Sequence, residues 1–258
     1  MNAALTLWYK HMIKLRAHGE ETFGMLLQPV LWVVLFGAGM RSMMEGMTSD
    51  NHVYIAFMVP GIVALSALSG GIGGGTVWLE ERKNGIVKEY LVAPIPRLSI
   101  LAGNALSTVT KSLMQAAVIF VVGVLMGAQV SGNPLGWMGG FVLTAAYGLG
   151  FSGIALAVAS KTTSTGAYHM LIFLLNLPLL FFSNALYPLN TLPGWMKVGV
   201  RLNPTSYVVD GLRQMVVVDG AALAGGDTLP LWLCFAVVIG FAVAGMALAL
   251  RAFNQSVR

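Results

Sequence analysis

Six long apolar runs alternate with short polar connections along the chain, at about residues 23–40, 53–77, 100–128, 135–160, 167–187 and 229–252. Each is close to the roughly 20 residues a helix needs to cross a hydrocarbon layer about 30 Å thick. The runs are continuous and rich in Leu, Val, Ala, Met and Gly. Strands of a membrane barrel would instead alternate apolar and polar positions in segments of about ten residues. The pattern predicts an all-α polytopic membrane protein with six transmembrane helices in a single domain, residues 1–258.

The connections carry patterns of their own. Residues 1–22 place Leu5, Trp8, Tyr9, Met12 and Leu15 at helical spacing, with Lys10, Lys14 and Arg16 on the other side. This predicts an N-terminal amphipathic helix lying in the membrane interface. The charges run throughout this segment, so no cleavable leader is expected. The connection at 80–97 holds much of the chain's charge. From Gly85 onward, Ile86, Val87, Tyr90 and Leu91 form one apolar stripe while Lys88 and Glu89 face away. Pro94 and Pro96 then end the predicted helix. A short helix held between two spans in this way suits a lever that docks on a cytoplasmic partner.

The segment 188–228 is too polar to cross a bilayer and too apolar for a free loop. Two short helices are expected, at about 193–201 and 205–218, each beginning near a proline or a capping Thr or Ser. Their polar groups place them at the outer interface, re-entrant only where protein covers the backbone. Asp210 and Arg213 stand three residues apart and can pair. Trp195 and Tyr207 suit an aromatic belt, and the whole segment reads as an extracytoplasmic gate.

Hydrophobic residues make up 57% of the chain and charged residues only 10%, which excludes an ordinary soluble domain, where about a quarter are charged. The net charge of +5 reflects sidedness rather than a nucleic-acid partner. With the N-terminus inside, the inner connections hold Lys10, Lys14, Arg16, Arg82, Lys83, Lys88, Arg97, Lys161, Arg251 and Arg258, and the outer ones only Arg41, Lys197, Arg201 and Arg213. The orientation is therefore N-in, C-in, with Lys111 near an inner boundary. Cys234 stands alone within an apolar run, and the four histidines are scattered, so neither a disulfide nor a metal site is indicated.

The glycines Gly70, Gly71, Gly73, Gly74 and Gly75 lack the following Lys-Ser or Lys-Thr of a phosphate loop. They read as sites of close helix approach or local loosening, as do the pairs Gly123 and Gly127, and Gly136 and Gly140. Nothing in the chain supplies the machinery of ATP hydrolysis. Ion-coupled carriage would need ionisable groups deep in the spans, and His169, near an inner boundary, is the nearest. One rival remains. Gly150-Phe151-Ser152-Gly153 matches the Gly-x-Ser-Gly of rhomboid-type intramembrane proteases, but the sixth run holds no histidine to activate Ser152.

Glu81, Arg82, Gly85, Leu91, Pro94 and Arg97, followed after the fifth run by Leu192-Pro193-Gly194-Trp195 and by Asn203, Pro204, Tyr207, Asp210 and Arg213, resemble the motifs of ABC-2 type exporter permeases. The resemblance covers about residues 55–215. It implies two permease copies, identical or different, with two separate ATPase subunits that bind ATP and magnesium, no cofactor on this chain, and outward movement of an amphipathic drug, lipid or glycolipid across a bacterial plasma membrane. It assigns ATPase coupling to Glu80, Glu81, Arg82, Gly85, Ile86, Val87, Glu89, Tyr90 and Leu91. It assigns the gate to Pro193, Trp195, Asn203, Pro204, Tyr207, Asp210 and Arg213. By analogy the substrate path uses the first, second and fifth spans, which nominates Gln28, Asn176 and Asn184; hydrogen bonding between helices is the alternative for all three. Asn104 departs from the Lys of many relatives, and the arginine-rich start of the polysaccharide-exporting branch is absent from residues 1–24. A non-exporting ABC membrane complex is the remaining alternative, and it would call for a bound extracytoplasmic protein.

Overall fold

The computed structural model describes residues 3–44, 52–93, 95–162, 164–186, 189, 192–223 and 228–256. These form eleven helices: α1 (Ala3–Ala17), α2 (Gly19–Met44), α3 (His52–Lys83), α4 (Ile86–Val92), α5 (Arg97–Leu125), α6 (Pro134–Lys161), α7 (Thr165–Phe181), α8 (Gly194–Leu202), α9 (Pro204–Val216), α10 (Gly220–Leu223) and α11 (Leu231–Ser256). Among the described residues there is no sheet, only an isolated bridge between Val130 and Val217. The all-helical class is as the apolar pattern predicts. Five helices, α2, α3, α5, α6 and α11, are long and apolar enough to cross a membrane, rather than the six expected. The fifth apolar run forms α7, whose 17 residues fall short of that length. Pro178 lies near its end, and the chain leaves the helix at Phe182, just before the polar Ser183 and Asn184.

Local chemistry sets the helix ends. Asn133 caps α6 by accepting from Leu135 N, with Pro134 in the first helical position, where no N–H is needed. Asn203 and Pro204 repeat the device at α9. At the end of α5, Gly127 adopts φ 103°, Ala128 N donates to Gly123 O, and Gly127 N donates to Val124 O, both at 2.9 Å. These are the two bonds of a Schellman turn, so Gly127 serves chain reversal and not the helix packing its spacing suggested. Gly123 does pack, against Val59.

α3 and α6 form the centre. α6 lies against α11 where Gly150 and Gly153 meet Gly245 with backbone touching backbone. Gly71, Gly74 and Gly75 of α3 bring that helix against Gly148 O, against the side chains of Thr108 and Asn104, and against Ala155 O and Tyr168. These are close approaches within a continuous helix. α9 answers to the second of the two short helices expected after the fifth apolar run. It is inserted between α3, α6 and α11, with Val208, Val209, Leu212 and Val216 fully buried. α8 stays outside, with Trp195, Val198 and Leu202 exposed.

A second apolar core joins Leu7, Trp78, Leu79, Val87, Ile100, Leu101, Tyr168 and Phe253, which gathers α1, α4 and the C-terminal end of α11 at one end of the molecule. α1 meets this core along one face. Leu7 and His11 are buried against α5, while Leu5, Tyr9 and Ile13 are exposed. Gly103 admits Leu7 at a distance no Cβ would allow, and this contact sets the rotation. A Gly153→Val substitution drives two methyl groups into the α11 backbone and is expected to cost about 3 kcal/mol or more of stability. Gly240→Val, where nothing lies within 4 Å, is the control and should be near neutral in thermal unfolding in detergent.

Candidate functional site

Helix α3 runs three residues beyond Glu80, so Glu80, Glu81 and Arg82 belong to the last turn of a long helix and not to the connection predicted from 80 to 97. That placement makes Glu81 the centre of a polar node. Its Oε1 accepts from Lys10 Nζ at 2.8 Å and from Tyr90 OH at 3.1 Å, and lies 3.3 Å from His11 Nε2. His11 Nδ1 is 2.9 Å from Ser107 Oγ, which donates in turn to Gly103 O. Lys10 also donates to the Tyr90 oxygen. One carboxylate, 8% exposed, thus joins α1, α3 and α4 directly and α5 through the imidazole. Burial works against the Lys10 ammonium, but its bonds to Glu81 and Tyr90 outweigh this and hold its pKa above the usual lysine value.

Around this node the predicted stripe of α4 takes form. Gly85, at φ 78°, supplies the left-handed turn out of α3 that an L side chain resists. Val87 is buried, Ile86 and Tyr90 are half-buried, and Lys88 and Glu89 are exposed. Arg82 Nη1 donates to Ser160 O at 3.0 Å and Lys83 to Thr165 Oγ1, which ties the same turn to the corner between α6 and α7. Glu80 pairs with Lys14 across 3.8 Å at an exposed position, where such a pair is worth little. Pro94 and the side chains of Leu91 and Arg97 lie outside the described residues. Sequence reasoning missed Lys10, His11 and Ser107 as members of the Glu81 node, because they come from helices distant from it in sequence.

The opposite end holds a second network. Arg213, 1% exposed, donates from Nε to Phe57 O at 3.1 Å and from Nη2 to Asn184 O at 2.7 Å, and its guanidinium lies 3.7 Å from the Phe57 ring centre. Its Nη1 is 3.9 Å from Asp210 Oδ1, as the spacing predicted. Asp210 also accepts from Asn184 Nδ2 and from Leu229 N. Asn203 Nδ2 donates to Leu179 O and Phe182 O at the end of α7. Asn203, Pro204, Asp210 and Arg213 therefore gather with Asn184 where α7 ends, while Pro193 and Trp195 stay exposed on α8 and Tyr207 bonds Arg201 O.

The three substrate-path nominations separate. Asn184 is buried in the network just described. Gln28 lines a groove between α2, α3, α5 and the end of α7, and Asn176 lines another on the α6 and α11 side of α7. Ser152 is fully buried, its hydroxyl pointing to Thr108 Oγ1 at 3.5 Å. Its flanking glycines serve the α11 crossing, while His11, His18 and His169 engage Glu81, Glu20 and Tyr168. Among the described residues, no histidine side chain is brought to the serine.

The model of the family described as ABC-2 type transporter matches residues 2–217. The chain belongs to this family. Among ABC-2 relatives, it is 31% identical to "Putative transport permease ycf38" of Cyanophora paradoxa over 73% of this chain, and it spans only 65% of that protein. It is 24% identical to "Daunorubicin resistance ABC transporter permease protein DrrB1" of Streptomyces coeruleorubidus, over 84% of this chain and 75% of that one. "Probable doxorubicin resistance ABC transporter permease protein DrrC" of Mycobacterium tuberculosis is 26% identical, over 82% and 73%. The chain is thus a multi-span member of the ABC-2 type transporter family with relatives named for drug resistance.

The buried Arg213 network makes a test of its own. Arg213→Met leaves Asp210 without its cation and should cost about 3–5 kcal/mol in thermal or denaturant unfolding. The Asp210→Asn/Arg213→Met pair should cost well under the sum of the single changes, because the two charges share one network.

Proposed function

We propose that this chain is the permease subunit of an ATP-driven exporter in a bacterial-type plasma membrane, working with a second permease copy and two separate ATPase subunits. ATP and magnesium are held by those ATPases, and this chain performs no catalysis. α7 completes a sixth crossing, which sets both termini on the cytoplasmic side, and the substrate is an amphipathic molecule moved outward. The relatives named for daunorubicin and doxorubicin resistance favour a drug-like substrate over a glycolipid.

The observation that carries this reading is the mounting of α4. Its apolar face is seated on the second core through Val87, its Lys88 and Glu89 face outward, and Tyr90 is bonded to Glu81 in the last turn of α3. A partner that grips the outer face of α4 pulls on α3 through Gly85 and on α1 through the Glu81 node. α3 in turn reaches the opposite end, where Phe57 touches Arg213. The mount is thus a lever on a helix that touches both networks.

The test is affinity purification of the full chain in mild detergent, with mass spectrometry of co-eluting proteins and an ATPase assay. A stoichiometric P-loop ATPase is expected. Glu81→Lys, or Val87→Asp, should abolish substrate-stimulated hydrolysis while leaving membrane insertion intact. Undiminished stimulation in both variants would sink the coupling role of α4.

A further inference from the structure

α6 and α11 run side by side in the same direction, since Gly139 meets Phe235, Gly150 meets Phe241 and Gly153 meets Gly245 in order along both helices. Beyond that backbone contact larger side chains resume, and a groove opens between the two helices. Ile154, Val158 and Lys161 line it from α6, and Leu248, Arg251 and Gln255 from α11. Each set falls on one helical face. Lys161 stands eight residues past Gly153 and Arg251 six past Gly245, about 12 Å and about 9 Å along their axes at roughly 1.5 Å per residue. The two cations are therefore at similar depth, with the apolar residues nearer the crossing.

The mouth of the groove lies at the end of the molecule that carries α4, because Phe253 of α11 packs edge-on against Trp78 of α3 at 5.3 Å between ring centres. Lys161 and Arg251 are both exposed, and among the described residues neither forms an ion pair with a carboxylate. Among the described residues no acidic side chain lines the groove. Lys161 has a local reason for its place, since it ends α6, where the helix dipole favours a cation. Arg251 has no such reason: it lies five residues inside the end of α11. Two like charges on one groove repel, and an anion between them turns that repulsion into attraction. Toward the crossing Leu248 is 49% exposed, an apolar surface that hydrocarbon covers without cost.

We infer that this groove holds one anionic phospholipid, with its phosphate between Lys161 and Arg251 and an acyl chain along Ile154, Val158 and Leu248. The Arg251 guanidinium offers a planar fork to two phosphate oxygens, and the Lys161 ammonium a point charge. Gln255, with both donors and an acceptor, suits a hydroxyl-bearing headgroup. Basic pockets between spans at a cytoplasmic boundary bind such headgroups. The groove belongs to the fourth and sixth apolar runs, away from the first, second and fifth that the resemblance nominates for the substrate path. The lipid is therefore a resident that straps α6 to α11 beyond their glycine contact, and not cargo. Its assignment to the inner leaflet rests on the orientation in the exporter reading; the binding itself does not.

The probes are dioleoyl phosphatidylglycerol and dioleoyl phosphatidylcholine, which share their chains and phosphate and differ in net charge. The full chain in detergent, titrated with each and read by native mass spectrometry, should retain one phosphatidylglycerol about tenfold more tightly than phosphatidylcholine. Lys161→Gln/Arg251→Gln should erase that preference. Lys14→Gln/Arg16→Gln, which removes the same charge from exposed positions on α1, should keep it. Arg251→Gln alone should lower the preference about threefold, which keeps the site testable where the double variant fails to fold. Inorganic phosphate in large excess should leave the lipid in place. Equal affinity for the two lipids, a preference that survives the groove variants, equal loss in the α1 variant, or displacement by inorganic phosphate would each overturn the site. Lipid preference without a co-eluting ATPase would overturn only the exporter reading, and a co-eluting ATPase without lipid preference only the groove.

Discussion

A carbonyl that loses its helical donor inside hydrocarbon has no water to turn to, and leaving it bare costs several kcal/mol. Pro29 inside α2 creates this situation, and the ends of helices create it again, because their last carbonyls have no helical donor. Gln115 covers Met25 O, four residues before Pro29. Asn203 closes Leu179 O and Phe182 O at the C-terminal end of α7, and Arg213 bonds the Asn184 carbonyl where the chain has left that helix, while also reaching Phe57 O in α3. A polar side chain from elsewhere in the chain is thereby bound to each of these carbonyls. They become points at which helices are joined and not points of weakness.

α3 is the element through which these joints communicate. One of its ends carries Glu81, bonded to α1 and α4, and its other half carries Phe57 and Pro60 beside Arg213. Between them, Gly71, Gly74 and Gly75 let α5, α6 and α7 lie close enough for Asn104 Nδ2 to donate to Gly74 O and for Tyr168 OH to donate to Ile72 O. A displacement of α4 therefore meets a helix gripped along its length. α2 and most of α7 are held less, and their exposed Leu, Phe and Trp side chains suit lipid or a second copy of the chain.

The legible parts of this arrangement were those that depend on neighbours in sequence. The apolar runs, the stripe of α4 and the Asn-Pro start of α9 all follow from helical periodicity or from a cap and its helix. The Asp210–Arg213 pair was visible for the same reason, since three residues along a helix bring side chains together. The node around Glu81 was only half visible. Tyr90 lies nine residues away across one turn, but Lys10 and His11 come from a helix some seventy residues earlier, and nothing in the rhythm of α1 says which face meets α5.

By itself the sequence determined a helical membrane protein, its element order, the lever-like α4 and its family motifs, because span length, hydropathy and capping are local properties. Only the tertiary structure decided that α9 packs between α3, α6 and α11, that α7 ends after 17 residues, and that Gly127 turns the chain. It also decided that Asn184 serves a hydrogen-bond network and that Gln115 reaches Met25 O in α2. Those outcomes depend on which side chains and backbone groups, distant in sequence, lie near enough to meet, and that pairing exists only once the helices have packed.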